Sequence, residues 1–66
     1  MSHSTFKNVD EAFAKGMIIH HQMAIDMSKA ILKYTDNETI INMAENIITV
    51  QEEEIEEMEN ILKTIK

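Results

Sequence analysis

Cysteine, proline, tryptophan and arginine are all missing from these 66 residues, and glycine occurs once, at position 16. Without cysteine there is neither a disulfide framework nor a thiolate zinc site. Without proline, and with a lone glycine, little in the chain can break a helix. Six lysines stand against twelve carboxylates, a formal net charge of −6. That balance, with three aromatic residues and no arginine, argues against a nucleic-acid partner and against an anionic membrane surface. Small cations suit it better. No apolar run approaches the roughly 20 residues of a membrane span, so no membrane insertion is expected. The stretch Met1 to Val9 is polar and holds no signal-peptide core. The chain as written is therefore expected in the cytoplasm, or in the periplasm or outside the cell if an export signal is missing from it.

What the chain does contain is helical periodicity. One cluster of turn residues, Thr35-Asp36-Asn37, divides it. Before the cluster, Phe13, Met17, His20, Ala24, Met27, Ile31 and Tyr34 step by alternating fours and threes. After it, Ile40, Ala44, Ile47, Gln51, Ile55, Met58, Leu62 and Ile65 do the same. This is the 3.6-residue period, and strand-like alternation is absent. The spacing predicts one domain over 1–66, an all-α antiparallel hairpin of helices at about 9–34 and 37–64. Asn8 with Glu11 resembles a cap for the first helix, and Thr35 with Glu38 a capping box for the second, with Asp36 an equal candidate. Lys29, Lys33, Lys63 and Lys66 lie where they complement helix C-termini. Residues 1–7 are expected to fray, or to pack loosely through Phe6.

With so short a connection, facing positions have numbers that add to about 71, because both helices rise equally per residue. Ile31 then meets Ile40, Met27 meets Ala44, Ala24 meets Ile47, His20 meets Gln51, Met17 meets Glu54 and Phe13 meets Met58. Gly16 falls opposite Ile55, as at a close crossing. The uncharged side chains of the first helix nonetheless cover an arc of about 240°, far more than one neighbour buries. Ile18, Ile25 and Leu32 are left without a partner in this register. Pairing two hairpins into a four-helix bundle removes the surplus, so a homodimer is expected.

The chemistry concentrates at residues 17–27, Met-Ile-Ile-His-His-Gln-Met-Ala-Ile-Asp-Met. Met17 lies one turn from His20 and His21, with Met23 and Met27 on the following turns. The hairpin register brings Gln51, Glu54 and Met58 to the same levels. Two readings follow. In one, a buried His/Gln/Glu layer sets register in a dimerisation module and binds no ligand, and the methionines fill irregular gaps. In the other, His20 and His21 are nitrogen ligands, Met17, Met23, Met27 and Met58 are sulfur donors, and Gln51 and Glu54 are accessory. Imidazole with thioether suits Cu(I), while zinc fits less well. A di-iron centre needs Glu-x-x-His on its helices, and Met17 and Ile18 stand where those glutamates would be. The remaining glutamates of the second helix, Glu52, Glu53, Glu56, Glu57 and Glu59, read as a solvated outer face. The hydroxyls are poorly placed for activation by the histidines, so an enzyme is not expected.

The segments Met-Ile-x-His-His-Gln-x-Ala-Ile-x-Met at 17–27 and Met-Ala-x-x-Ile-Ile-x-x-Gln-x-x-Glu-Ile-x-x-Met at 43–58 resemble the bacterial "domain of unknown function 305" family over about residues 9–62. The resemblance implies a ferritin-like architecture, with longer members carrying two such hairpins. It also implies a role like that of its copper- or silver-binding metallochaperones. Met17, His20, His21, Met27, Gln51, Glu54 and Met58 are the positions it carries over. The additional Met/His-rich segments of the longer metallochaperones are absent here.

Overall fold

A computed structural model describes residues 3–65, with the side chains of residues 9–65. Two helices, α1 (His3–Leu32) and α2 (Glu38–Thr64), pack against each other as an antiparallel hairpin 54 Å long and 14 by 13 Å across. No strand occurs among the described residues. The all-α hairpin is the expected one, with corrections at the helix ends and in which side of α1 meets α2.

The first helix begins at His3, so Asn8 lies within it and is not its cap. Nothing between His3 and Val9 breaks a helix, and extending an existing helix is far cheaper than starting one. The expected packing of Phe6 and the position of Lys66 lie outside the described side chains. At the other end the chain tightens: the Lys33 amide donates to Ala30 O at 3.1 Å and the Tyr34 amide to Ile31 O at 3.0 Å. These i→i−3 bonds close the helix two residues before the expected Tyr34.

Asn37, rather than Thr35 or Asp36, caps α2. Its backbone is extended (φ −79°, ψ 113°), and its side-chain oxygen accepts from the amides of Thr39 at 2.9 Å and Ile40 at 3.2 Å. The Thr35 hydroxyl is occupied elsewhere, accepting from the Asn37 amide at 3.1 Å. Asn37→Ala is expected to lower stability by about 1 kcal/mol, while Asn37→Asp retains it through the helix dipole. Thermal melts followed by circular dichroism compare the two.

The largest correction concerns rotation. The expected inward stripe of α1 faces out in part: Phe13 is 66% exposed, Met27 72% and Tyr34 85%. The buried positions are Ala14, His21, Ile25 and Ser28, with Ile18 and Leu32 half-buried beside them. Helix α1 is thus turned by about one residue, or 100°, from the expected orientation. Small residues at Ala14 and Ser28, opposite a helix whose own buried residue is Ala44, let the backbones approach, and branched Ile25 fills the space between. The alternative would have put Phe13, Met27 and Tyr34 between the helices. Gly16 is likewise not at a close crossing, since a Cβ built there meets nothing within 4 Å.

The axial register holds. Met27, Ile31, Ile40 and Ala44 line one groove near the connection, and Phe13, Met17, Glu54 and Met58 line another toward the open end. These are four of the pairs expected from the numbering. Among the described residues, no helix is long and apolar enough to cross a membrane.

Candidate functional site

His21 is the ionisable residue that the rotation of α1 carries inside, with Ser28 the other buried polar residue described. His21 is 9% exposed and lies between Ala14 and Ile25 on the buried side of the helix. Two bonds fix its ring. Nδ1 lies 2.7 Å from the carbonyl oxygen of Met17, one turn earlier. Nε2 lies 2.5 Å from Glu54 Oε1 on α2. A carbonyl oxygen only accepts, so Nδ1 carries a hydrogen and donates it. Nε2 then faces a carboxylate oxygen at hydrogen-bond distance, so a hydrogen lies between the two.

The pairing also corrects the expected levels. His21 and Glu54 have numbers that add to 75 rather than about 71. Side chains lean toward the N-terminus of their own helix, and in an antiparallel pair these leanings are opposed. Each side chain reaches past its level, and the contact moves toward the open end of the hairpin.

Around this bond is a pocket of about 230 Å³ lined by Phe13, Met17, His21, Glu54, Glu57, Met58 and Ile61. It is the second groove described above, open on one side. Four of the eight expected ligand positions therefore meet: Met17, His21, Glu54 and Met58. The other four do not join them within one chain. His20 and Met23 are exposed on α1 away from the pocket, and Met27, also exposed, lines the other groove near the connection. Gln51 is half-buried on α2, one turn nearer the connection than Glu54. His20 and Gln51 were expected to face each other, but the rotation of α1 leaves His20 exposed and brings His21 to Glu54.

Among the described residues, no three His, Asp or Glu side chains cluster as a metal site. The donors lining the pocket are one imidazole, two carboxylates and two thioethers, a mixed set in which the thioethers favour a soft ion. Glu57 is a lining residue that sequence reasoning placed on the outer acidic face. Its spacing of three from Glu54 was the available signal, since i and i+3 share a side of a helix. Phe13, on the expected stripe opposite Met58, lines the apolar end with Ile61, which lay off the expected stripe of α2. On the exposed side of α1, Asp26 accepts from Gln22 Nε2 at 3.1 Å.

These features define a small all-α hairpin protein with a histidine–carboxylate bond set among thioethers. The chain belongs to the family described as "Domain of unknown function (DUF305)", whose model matches residues 1–62. It is also similar to "Uncharacterized protein L153" of Acanthamoeba polyphaga mimivirus, with 47% identity over 53 residues. That alignment takes in 80% of this chain and 35% of the viral protein, so the chain spans about a third of its relative's length. No solved structure matches the chain.

Proposed function

We propose that this is a binding protein for a soft, copper-like ion, acting in buffering or transfer rather than in catalysis. Met17, His21 and Met58 supply the donors, and Glu54 serves as an accessory ligand or orienting base. The observation that carries this reading is the convergence of those four side chains on one open pocket. The Met17 carbonyl holds Nδ1 and leaves Nε2 aimed at Glu54. Histidine ligands are commonly oriented in this way, through the nitrogen that does not bind metal. Cu(I) at Nε2 would take the place of the proton shared with Glu54, which would leave to solvent. Neutral thioethers need no deprotonation, so the chain can offer such a site without cysteine.

Titration with Cu(I) under reducing conditions, against a chromophoric chelator, tests the proposal. The expected result is saturable, stoichiometric binding. His21→Leu should abolish it, and Met17→Leu or Met58→Leu should each weaken it by about tenfold or more. Zn(II) should bind less tightly than Cu(I).

A second reading comes from a specific observation: the His21–Glu54 bond already satisfies both groups. In that case the layer only sets register within a dimerisation module. No saturable binding by the wild type, together with a lower melting midpoint in Glu54→Ala, decides for this reading. The bundle and its second copy are common to both readings.

A further inference from the structure

Both grooves of the hairpin open on the same side. The groove near the connection, about 470 Å³, has Met27, Ile31 and Tyr34 on one wall and Met43 on the other. The His21 pocket continues it toward Phe13 and Ile61. From Val9 to Tyr34, no charged residue falls within an arc of about 160° centred on Met27. On that arc Phe13, Ile19, Met23, Met27, Ile31 and Tyr34 are exposed. On α2, Met43, Val50 and Ile61 are exposed at spacings of seven and eleven, which keep them in line. Exposed apolar surface this continuous marks an interaction site.

We infer that a second copy of this chain covers the open side, with its α1 lying against the first copy's α2, and that the two His21 pockets close in one layer of the resulting four-helix bundle. Three observations point to a second copy rather than a foreign partner. A hairpin 54 Å by 14 Å presents a side comparable with the roughly 800 Å² per partner of a standard interface. The same patch carries projections and a recess: Phe13, Met27 and Tyr34 stand out, while Gly16 leaves open space around its Cα. A two-fold interface needs both on one surface.

The third observation is charge. At the open edge α2 carries Glu53 and Glu57, whereas the uncharged arc of α1 carries neither sign. Packing α1 against the other copy's α2 keeps the two acidic edges diagonal, while α2 against α2 would bring like charges together. With the two-fold axis along the bundle, every neighbouring pair of helices is antiparallel. Each residue then lies level with its twin. His20, exposed on the uncharged arc of the isolated hairpin, becomes an interior residue in the layer of the other copy's His21 pocket. The part given to His20 as a ligand rests on the soft-metal reading; the interface does not.

Light scattering and thermal melts of the metal-free chain test the interface. The wild type is expected at twice 7.6 kDa. Met27→Glu and Gly16→Leu are each expected to return it to single-chain mass with a lower melting midpoint. Gly16→Leu is the more telling variant: nothing in the hairpin opposes a side chain there, and leucine favours helix over glycine. Without an interface this substitution should raise the midpoint. A wild type of single-chain mass that melts cooperatively overturns the inference. So does a dimer indifferent to both substitutions. His20→Ala should keep the doubled mass and weaken Cu(I) binding by about tenfold or more, and unchanged affinity overturns the part assigned to His20. A wild-type dimer that takes up no Cu(I) supports the interface and overturns the metal reading.

Discussion

Ile25→Ala should leave a large fraction of the chain unfolded at 25 °C. Among the described residues, only Ala14, Ile25 and Ala44 are buried apolar residues, and Ile25, at 2% exposure, is the one large side chain among them. Truncating a buried isoleucine to alanine costs about 2–5 kcal/mol, from lost burial and the cavity left behind. A core of this size rarely supplies more than about 3–5 kcal/mol in total. The loss is therefore comparable with the whole stability of the fold. In a domain of this length each kcal/mol moves the melting midpoint by about 4–8 °C, so the midpoint should fall by about 10 °C or more in circular dichroism. Ile25→Val removes one methyl group and should cost only about 0.5–1.5 kcal/mol. If Ile25→Ala melts within a few degrees of the wild type, α1 is not packed through this residue, and the earlier stripe of Phe13, Met17 and Met27 regains its claim.

The His21–Glu54 pair should respond asymmetrically. The His21 side chain is 11% exposed and that of Glu54 is 46% exposed. Removing the glutamate strands a buried ring nitrogen, at a cost of about 1–3 kcal/mol. His21→Leu keeps most of the volume and releases a carboxylate that water can already reach, so its cost should be smaller. Replacing both by leucine removes the buried polar demand and should restore, or exceed, wild-type stability. The expected order in chemical denaturation is Glu54→Ala lowest, His21→Leu intermediate and the double leucine variant highest of the three. A double-mutant cycle on the pair should give a coupling energy of about 0.5–3 kcal/mol. A Glu54→Ala variant as stable as wild type would show that the bond contributes nothing. The double leucine variant should also bind no Cu(I), which separates the pair's structural role from its proposed chemical one.

The same pair marks how far the residues could be read alone. Helix number, a break around Thr35–Asn37 and the approximate axial register were legible because each depends on local signals repeated many times. The threes and fours of both stripes agree, and a short connection leaves a single antiparallel register. Capping was legible as to place and not as to residue. Thr35, Asp36 and Asn37 all have capping side chains, and the choice turned on which backbone was extended. Met17, Glu54 and Met58 were legible as neighbours of the histidines because they follow from register. Glu57 was not, because glutamates crowd every side of that stretch of α2.

The order of the amino acids by itself determined two helices, their reversal around Thr35–Asn37, and a register close enough to bring imidazole, carboxylate and thioether into one neighbourhood. It also determined that α1 carries more uncharged surface than one neighbour can bury. Packing alone decided which part of that surface turns inward. Adjacent residues on a helix differ by only 100°, and both candidate stripes fall inside one uncharged arc, so periodicity is satisfied by either. The small side chains of Ala14, Ser28 and Ala44 broke the tie by allowing close approach of the backbones. That approach put His21 rather than His20 beside Glu54.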